Sequence, residues 1–163
     1  MNVLTINLLL STLIFYIAAR LYLLPRLADL TPRAVLLPIL LLHSLRHLGL
    51  MFIEAGATYP GIPRDFAYPA AYGDLIAALL ALIAIPAVAL EWKIARALVW
   101  IFSIEGTVDL ALAIALATKY DAHAFMGPAY WIPAFWVPAL LVTHYITFLV
   151  LLGPWREATR AQP

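Results

Sequence analysis

The chain has 163 residues, of which 65% are hydrophobic and 12% charged, with a net charge of +1 and no cysteine. Soluble domains are about half apolar and about a quarter charged, so a mean hydropathy of +0.95 points to a polytopic membrane protein. The missing cysteine excludes disulfides, zinc–thiolate sites, cysteine-ligated iron–sulfur clusters and c-type haem attachment, and no basic cluster calls for nucleic acid.

Five stretches are long and apolar enough to cross a bilayer, which takes about 20 residues of helix. The first covers residues 2–24 and ends before Pro25; it follows a start without the basic residues of a secretory signal and reads as a retained helix. The second, 32–55, opens on Thr31-Pro32, a capping residue followed by proline at the first helical position, and closes near Gly56. The third runs 69–90 from Pro69, with Pro86 a source of a kink, and the fourth runs 94–118. The fifth covers 128–152, between Pro128 and Gly153-Pro154. The expectation is an all-α bundle of five transmembrane helices forming a single domain over residues 1–163, with no internal repeat.

Positive charge orients that bundle. Arg20, Arg26, Arg33, Lys93, Arg96, Arg156 and Arg160 border the first and third connections and the tail, whereas only Arg64 and Lys119 border the other two. The positive-inside rule then predicts an external N-terminus and a cytoplasmic C-terminus in a bacterial-type inner membrane. Trp92 and Trp155 fall at the inner interface, and Tyr120, Tyr130 and Trp131 at the outer one. The outer connection from Ala57 to Tyr68 is rich in proline and aromatics and reads as an interfacial loop, with a lid over the bundle as the alternative. His123, beside Lys119 and Asp121, reads as a solvated loop residue.

Ionisable residues interrupt four of the spans: His43, Arg46 and His47; Asp74; Glu105 and Asp109; and His144. A charge at bilayer depth costs on the order of 2.5–3.5 kcal/mol even on lenient scales and needs a partner or a wet cavity. Helix rise sorts six of them by height above the inner end. His43, Glu105 and His144 form a lower tier at about 12–16 Å, and His47, Asp74 and Asp109 an upper tier at about 22–24 Å. Each tier draws on three helices. The four-residue spacings His43/His47 and Glu105/Asp109 put each pair on one helical face, with Arg46 at the edge of the histidine face as a charge partner for Asp74 or Asp109. Ser103, Thr107, Thr143 and Thr147 flank the tiers and offer hydrogen bonds.

Three functional readings follow. The cluster holds a transition metal such as zinc or iron, or a haem between opposed histidines such as His43 and His144. It takes up protons or engages a lipophilic small molecule, since carboxylates and histidines in a dry site exchange protons. Or it only fixes helix packing, as in a structural or assembly subunit of a membrane complex. Residues Ser103-Ile-Glu-Gly-Thr-Val-Asp109, followed by Gly127-Pro-Ala-Tyr-Trp131, loosely resemble the last two helices of EXPERA-domain proteins. That resemblance covers about a third of the chain and implies lipid isomerisation or ligand binding in a four-helix bundle, with the fifth span here an addition. It carries no catalytic roles over. The sequence contains no Gly-rich phosphate loop, nucleophile elbow or HExxH motif.

Overall fold

A computed structural model describes residues 2–153 and 155. It is helical, with five helices long and apolar enough to span a membrane: α1 (Val3–Arg26), α2 (Pro32–Ile53), α3 (Arg64–Ala89), α4 (Ala95–Lys119) and α5 (Gly127–Leu152). Large apolar side chains such as Leu13, Ile76, Ile104 and Phe135 cover the outside, as a bilayer-facing surface requires. Arg156 and Arg160, counted in the charge asymmetry, lie outside the described residues.

α3 packs against both α2 and α4. Its buried face is almost entirely alanine, at positions 67, 70, 71, 77, 78, 81, 84 and 87, with Asp74 in the same stripe. Small residues let helix backbones approach closely, which is the main source of packing energy where lipid removes the hydrophobic drive. α1 is peripheral. Only Leu4 and Ala19 are buried along it, and it lies along α5. It opens on an Asn2 cap whose side chain accepts from the Thr5 N–H at 2.8 Å.

The third helix starts five residues before the expected Pro69. Pro63 precedes it, and its carbonyl accepts from the Phe66 and Ala67 N–H groups; Asp65 sits in the first turn, where a negative charge favours the helix. Pro69 therefore falls in the second turn and forgoes only one backbone bond. The preceding connection shortens to residues 54–63 and is stitched to the next connection on that side. Tyr59 N–H donates to Phe125 O at 2.8 Å, and Ala129 N–H to Ala57 O at 2.9 Å. At the other end Arg33 lies 3.9 Å from Glu91, and Arg96 donates to Leu151 O at 2.8 Å.

The decisive local departure is in α2. Residues Pro32–Ser44 are α-helical, but Leu45–Ile53 wind as a 3-10 helix. With three residues per turn, side chains three apart align, and the buried face continues from His43 through Arg46, Gly49 and Phe52. A nine-residue 3-10 run is long for that geometry. It turns Arg46 inward.

Candidate functional site

Arg46 lies at the centre of the bundle and is 1% exposed. Its Nε–H donates to Asp74 Oδ1 at 2.7 Å and its Nη2–H to Asp109 Oδ2 at 2.5 Å. Nη1–H donates to the Gly106 carbonyl at 3.3 Å. One guanidinium thus ties α2, α3 and α4 together, using the planar fork that suits arginine to two carboxylates at once.

Three glycines make this arrangement possible. A Cβ on Gly49 would overlap the Asp74 carboxylate, and one on Gly73 the Asp109 carboxylate. A Cβ on Gly106 would stand 2.6 Å from His144 Nε2 and 2.7 Å from Arg46 Nη1. Each helix of the triad gives up a side chain so that a neighbour's charged or polar group can fit against its backbone.

Beside the triad lies a histidine pair. His43 and His144 are both buried, with ring centroids 4.3 Å apart, and Phe102 packs against both rings. Thr143 Oγ1 lies 2.8 Å from His43 Nε2, within hydrogen-bond distance, and also within reach of the Ala139 and Leu140 carbonyls. His144 Nδ1 pairs with Ser103 Oγ at 3.1 Å, and its Nε2 points at the gap over Gly106 that it shares with Arg46. Among the described residues, His43 Nδ1, His144 Nε2 and Glu105 Oε2 are buried polar atoms without a hydrogen-bond partner, together with Trp136 Nε1.

The structure therefore regroups the two expected tiers. Asp74 and Asp109 meet through Arg46, as expected of a charge partner, and His43 meets His144. His47 is a correction: it is exposed on the outer face of α2, with Nδ1 at 2.9 Å from Ser44 O. The expected four-residue pairing with His43 assumes an α-helix, and the 3-10 winding puts Arg46 on the inner face instead. Glu105 is half-buried and makes no ion pair or hydrogen bond among the described residues.

The metal reading and the His43/His144 haem reading find no support in this geometry. Among the described residues no three His, Asp or Glu side chains are placed to hold a metal ion together. The His43 and His144 rings pack directly against each other, whereas axial ligands stand on opposite faces of a haem with iron between them.

A crevice leads to the triad. It runs between α1, α3, α4 and α5, with Asn2, Thr5, Thr118 and His123 among its lining and Asp74 deep in the span. Its walls are otherwise apolar, including Leu8, Leu110 and Met126. It encloses about 60 Å³ within a void of about 640 Å³ that includes its open mouth. His123, expected as a plain loop residue, is half-buried there. The sequence signal for this placement was slight: one histidine in a short connection, three residues before Met126.

Glu105, which lies on α4 outside the triad, gives a direct check. Glu105→Gln removes a half-buried charge that has no partner, so thermal stability is expected to stay unchanged or rise. Asp109→Asn is expected to lower it by about 1–3 kcal/mol, the scale of a charged hydrogen bond. Melting curves of both variants in one detergent compare them.

The chain belongs to the family of the domain of unknown function DUF8737, whose model matches residues 3–152. No curated protein and no solved structure matches it.

Proposed function

We propose that this membrane protein binds a slender lipophilic ligand in the crevice, with the polar end of the ligand seated against Asp74. The observation that carries the reading is the crevice itself: apolar walls leading to a buried carboxylate. Ligand sites are concave, mostly apolar and completed by a few well-placed polar groups. The enclosed space, about 60 Å³, is small and suits one alkyl chain better than a ring system. The test is photo-crosslinking in nanodiscs with an alkyl diazirine probe. Labels are expected on crevice residues such as Leu110 and Met126, and Ala113→Trp, which fills the passage, is expected to remove them. Labelling indifferent to Ala113→Trp would refute the reading.

The crevice opens, on this proposal, to the outside of an inner membrane. The connections at its mouth carry Arg64 and Lys119, against Arg20, Arg26, Arg33, Lys93 and Arg96 at the opposite end, and positive charge stays cytoplasmic. Because the chain has no cysteine, a single introduced thiol reports its own side. Cysteines replacing Asp65 or Tyr120 are expected to react with an impermeant thiol reagent applied to intact cells, and one replacing Lys93 only after lysis. The reverse pattern inverts the topology.

A second reading, a subunit of a membrane complex, draws on His47. An imidazole exposed on the outer face of a span is costly against lipid and inexpensive against a polar partner. Mass photometry of the protein in nanodiscs decides it: a single chain disfavours self-assembly, and a fixed multiple that His47→Leu dissolves favours it.

A further inference from the structure

The chemistry of the ligand's polar end follows from the charge around Asp74, on the premise that the crevice is the binding site. Arginine does not give up its proton in proteins, so Arg46 is one fixed positive charge. It is shared by Asp74 and Asp109, both in direct contact with it. Glu105 adds a third carboxylate, four residues from Asp109 on α4, and no cation pairs with it among the described residues. With its acids ionised, the core carries more negative than positive charge at a depth where charge is costly.

The geometry shows where a second cation fits. Arg46 occupies only Oδ1 of Asp74. The other oxygen, Oδ2, lies against the Gly49 backbone, accepts no hydrogen bond among the described residues, is not among the fully enclosed orphan atoms, and belongs to a residue that lines the crevice. Asp74 itself is 7% exposed, so little besides a slender group can approach its carboxylate. A carboxylate head would add negative charge to a negative site. An alcohol would make a hydrogen bond but leave the charge unbalanced. A monocation would neutralise the Arg46–Asp74–Asp109 group and form a charge-assisted bond of the stronger kind.

We propose that the ligand is a single-chain amphiphile with one cationic head, a protonated amine, which pairs with the unoccupied oxygen of Asp74. The small enclosed space selects the single chain, and the negative charge the acids carry when ionised selects the sign of the head.

The test uses three diazirine probes with one alkyl chain and an amine, an alcohol or a carboxylate head, at equal mole fraction in nanodiscs of zwitterionic lipid. The amine is expected to label the crevice residues about tenfold more than either companion, the scale of one charge-assisted hydrogen bond over a neutral one. Asp74→Asn is expected to abolish that preference while leaving alcohol labelling in place. If that variant does not fold, competition on the unaltered protein serves: unlabelled alkylamine should displace the amine probe and the matching alcohol should not. Equal crevice labelling by amine and alcohol would overturn the cationic head, with protons balancing the acids, and leave the lipophile site standing. Amine preference that survives Asp74→Asn, or alcohol that competes as well as amine, would also overturn it. Labels from all three probes outside the crevice would overturn the binding site itself.

Discussion

Replacing Arg46 by leucine is expected to destabilise the bundle by about 3–5 kcal/mol, the cost of removing one partner from a buried ion pair. Two carboxylates lose their shared donor at once, and the Gly106 carbonyl loses a bond. Protonation of Asp74 or Asp109 would offset part of the loss. The cycle with Asp74→Asn and Asp109→Asn separates the contributions. The triple variant is expected to be markedly more stable than Arg46→Leu alone, because replacing a whole buried charge network costs far less than orphaning half of it. Strict additivity of the substitutions would deny the coupling. Denaturant titrations in mixed micelles provide the measurement. A second readout concerns α2: the 3-10 winding of Leu45–Ile53 keeps Arg46 facing its aspartates, so the single variant is expected to relax this segment toward α-helix.

Gly73→Ala and Gly106→Ala are expected to destabilise the protein by about 1–3 kcal/mol each, in line with overpacking a close-fitted core. The sign is the diagnostic. In the interior of a helix, glycine to alanine normally stabilises by roughly 1 kcal/mol through helix propensity. Here the added methyl at Gly73 would overlap the Asp109 carboxylate, and at Gly106 it would press on His144 Nε2 and Arg46 Nη1. The Asp109 carboxylate is tied to Arg46 through its other oxygen, and the buried His144 ring packs against His43 and Phe102, so neither is free to swing aside. A gain in stability in either variant would mean that the core is looser than described. Gly106→Ala is also expected to perturb the imidazole NMR signals of His144, which a purely propensity-driven change would not.

The five spans were legible because twenty apolar residues between proline, glycine and capping signals leave a polytopic membrane helix as the natural outcome. The start of α3 was not, because Pro69 reads as a helix opener while Pro63 with Asp65 in the first turn performs that role. Convergence of Asp74, Asp109 and Arg46 could be read from the need to pair charges at depth. The inward turn of Arg46 in place of His47 could not, since these residues are adjacent and only the winding of α2 decides between them. That winding accompanies contacts across three helices: Arg46 with Asp74 and Asp109, and Gly49 beneath Asp74. A helical period applied to α2 alone contains none of them. The glycines carried a faint signal, because Gly73 directly precedes Asp74 and Gly106 directly follows Glu105. Their partners lie on other helices, beyond the reach of local spacing. Metal and haem looked plausible from residue types alone; the ring-to-ring packing of His43 and His144 depends on how α2 and α5 face each other, which the sequence does not display.

The central claim is that one face of the membrane reaches down a crevice to Asp74, and thiol accessibility tests it most directly. Ala70 lies one helical turn from Asp74 on the same buried face of α3 and lines the crevice; Ala81 is buried in the opposite half of the same helix and does not. In the otherwise cysteine-free chain, Ala70→Cys should react with a small cationic methanethiosulfonate applied from the side of the Tyr59 and His123 connections, and should be protected by an alkylamine. Ala81→Cys should react from neither side. An unreactive Ala70→Cys, or one that reacts equally from both sides, would contradict the account.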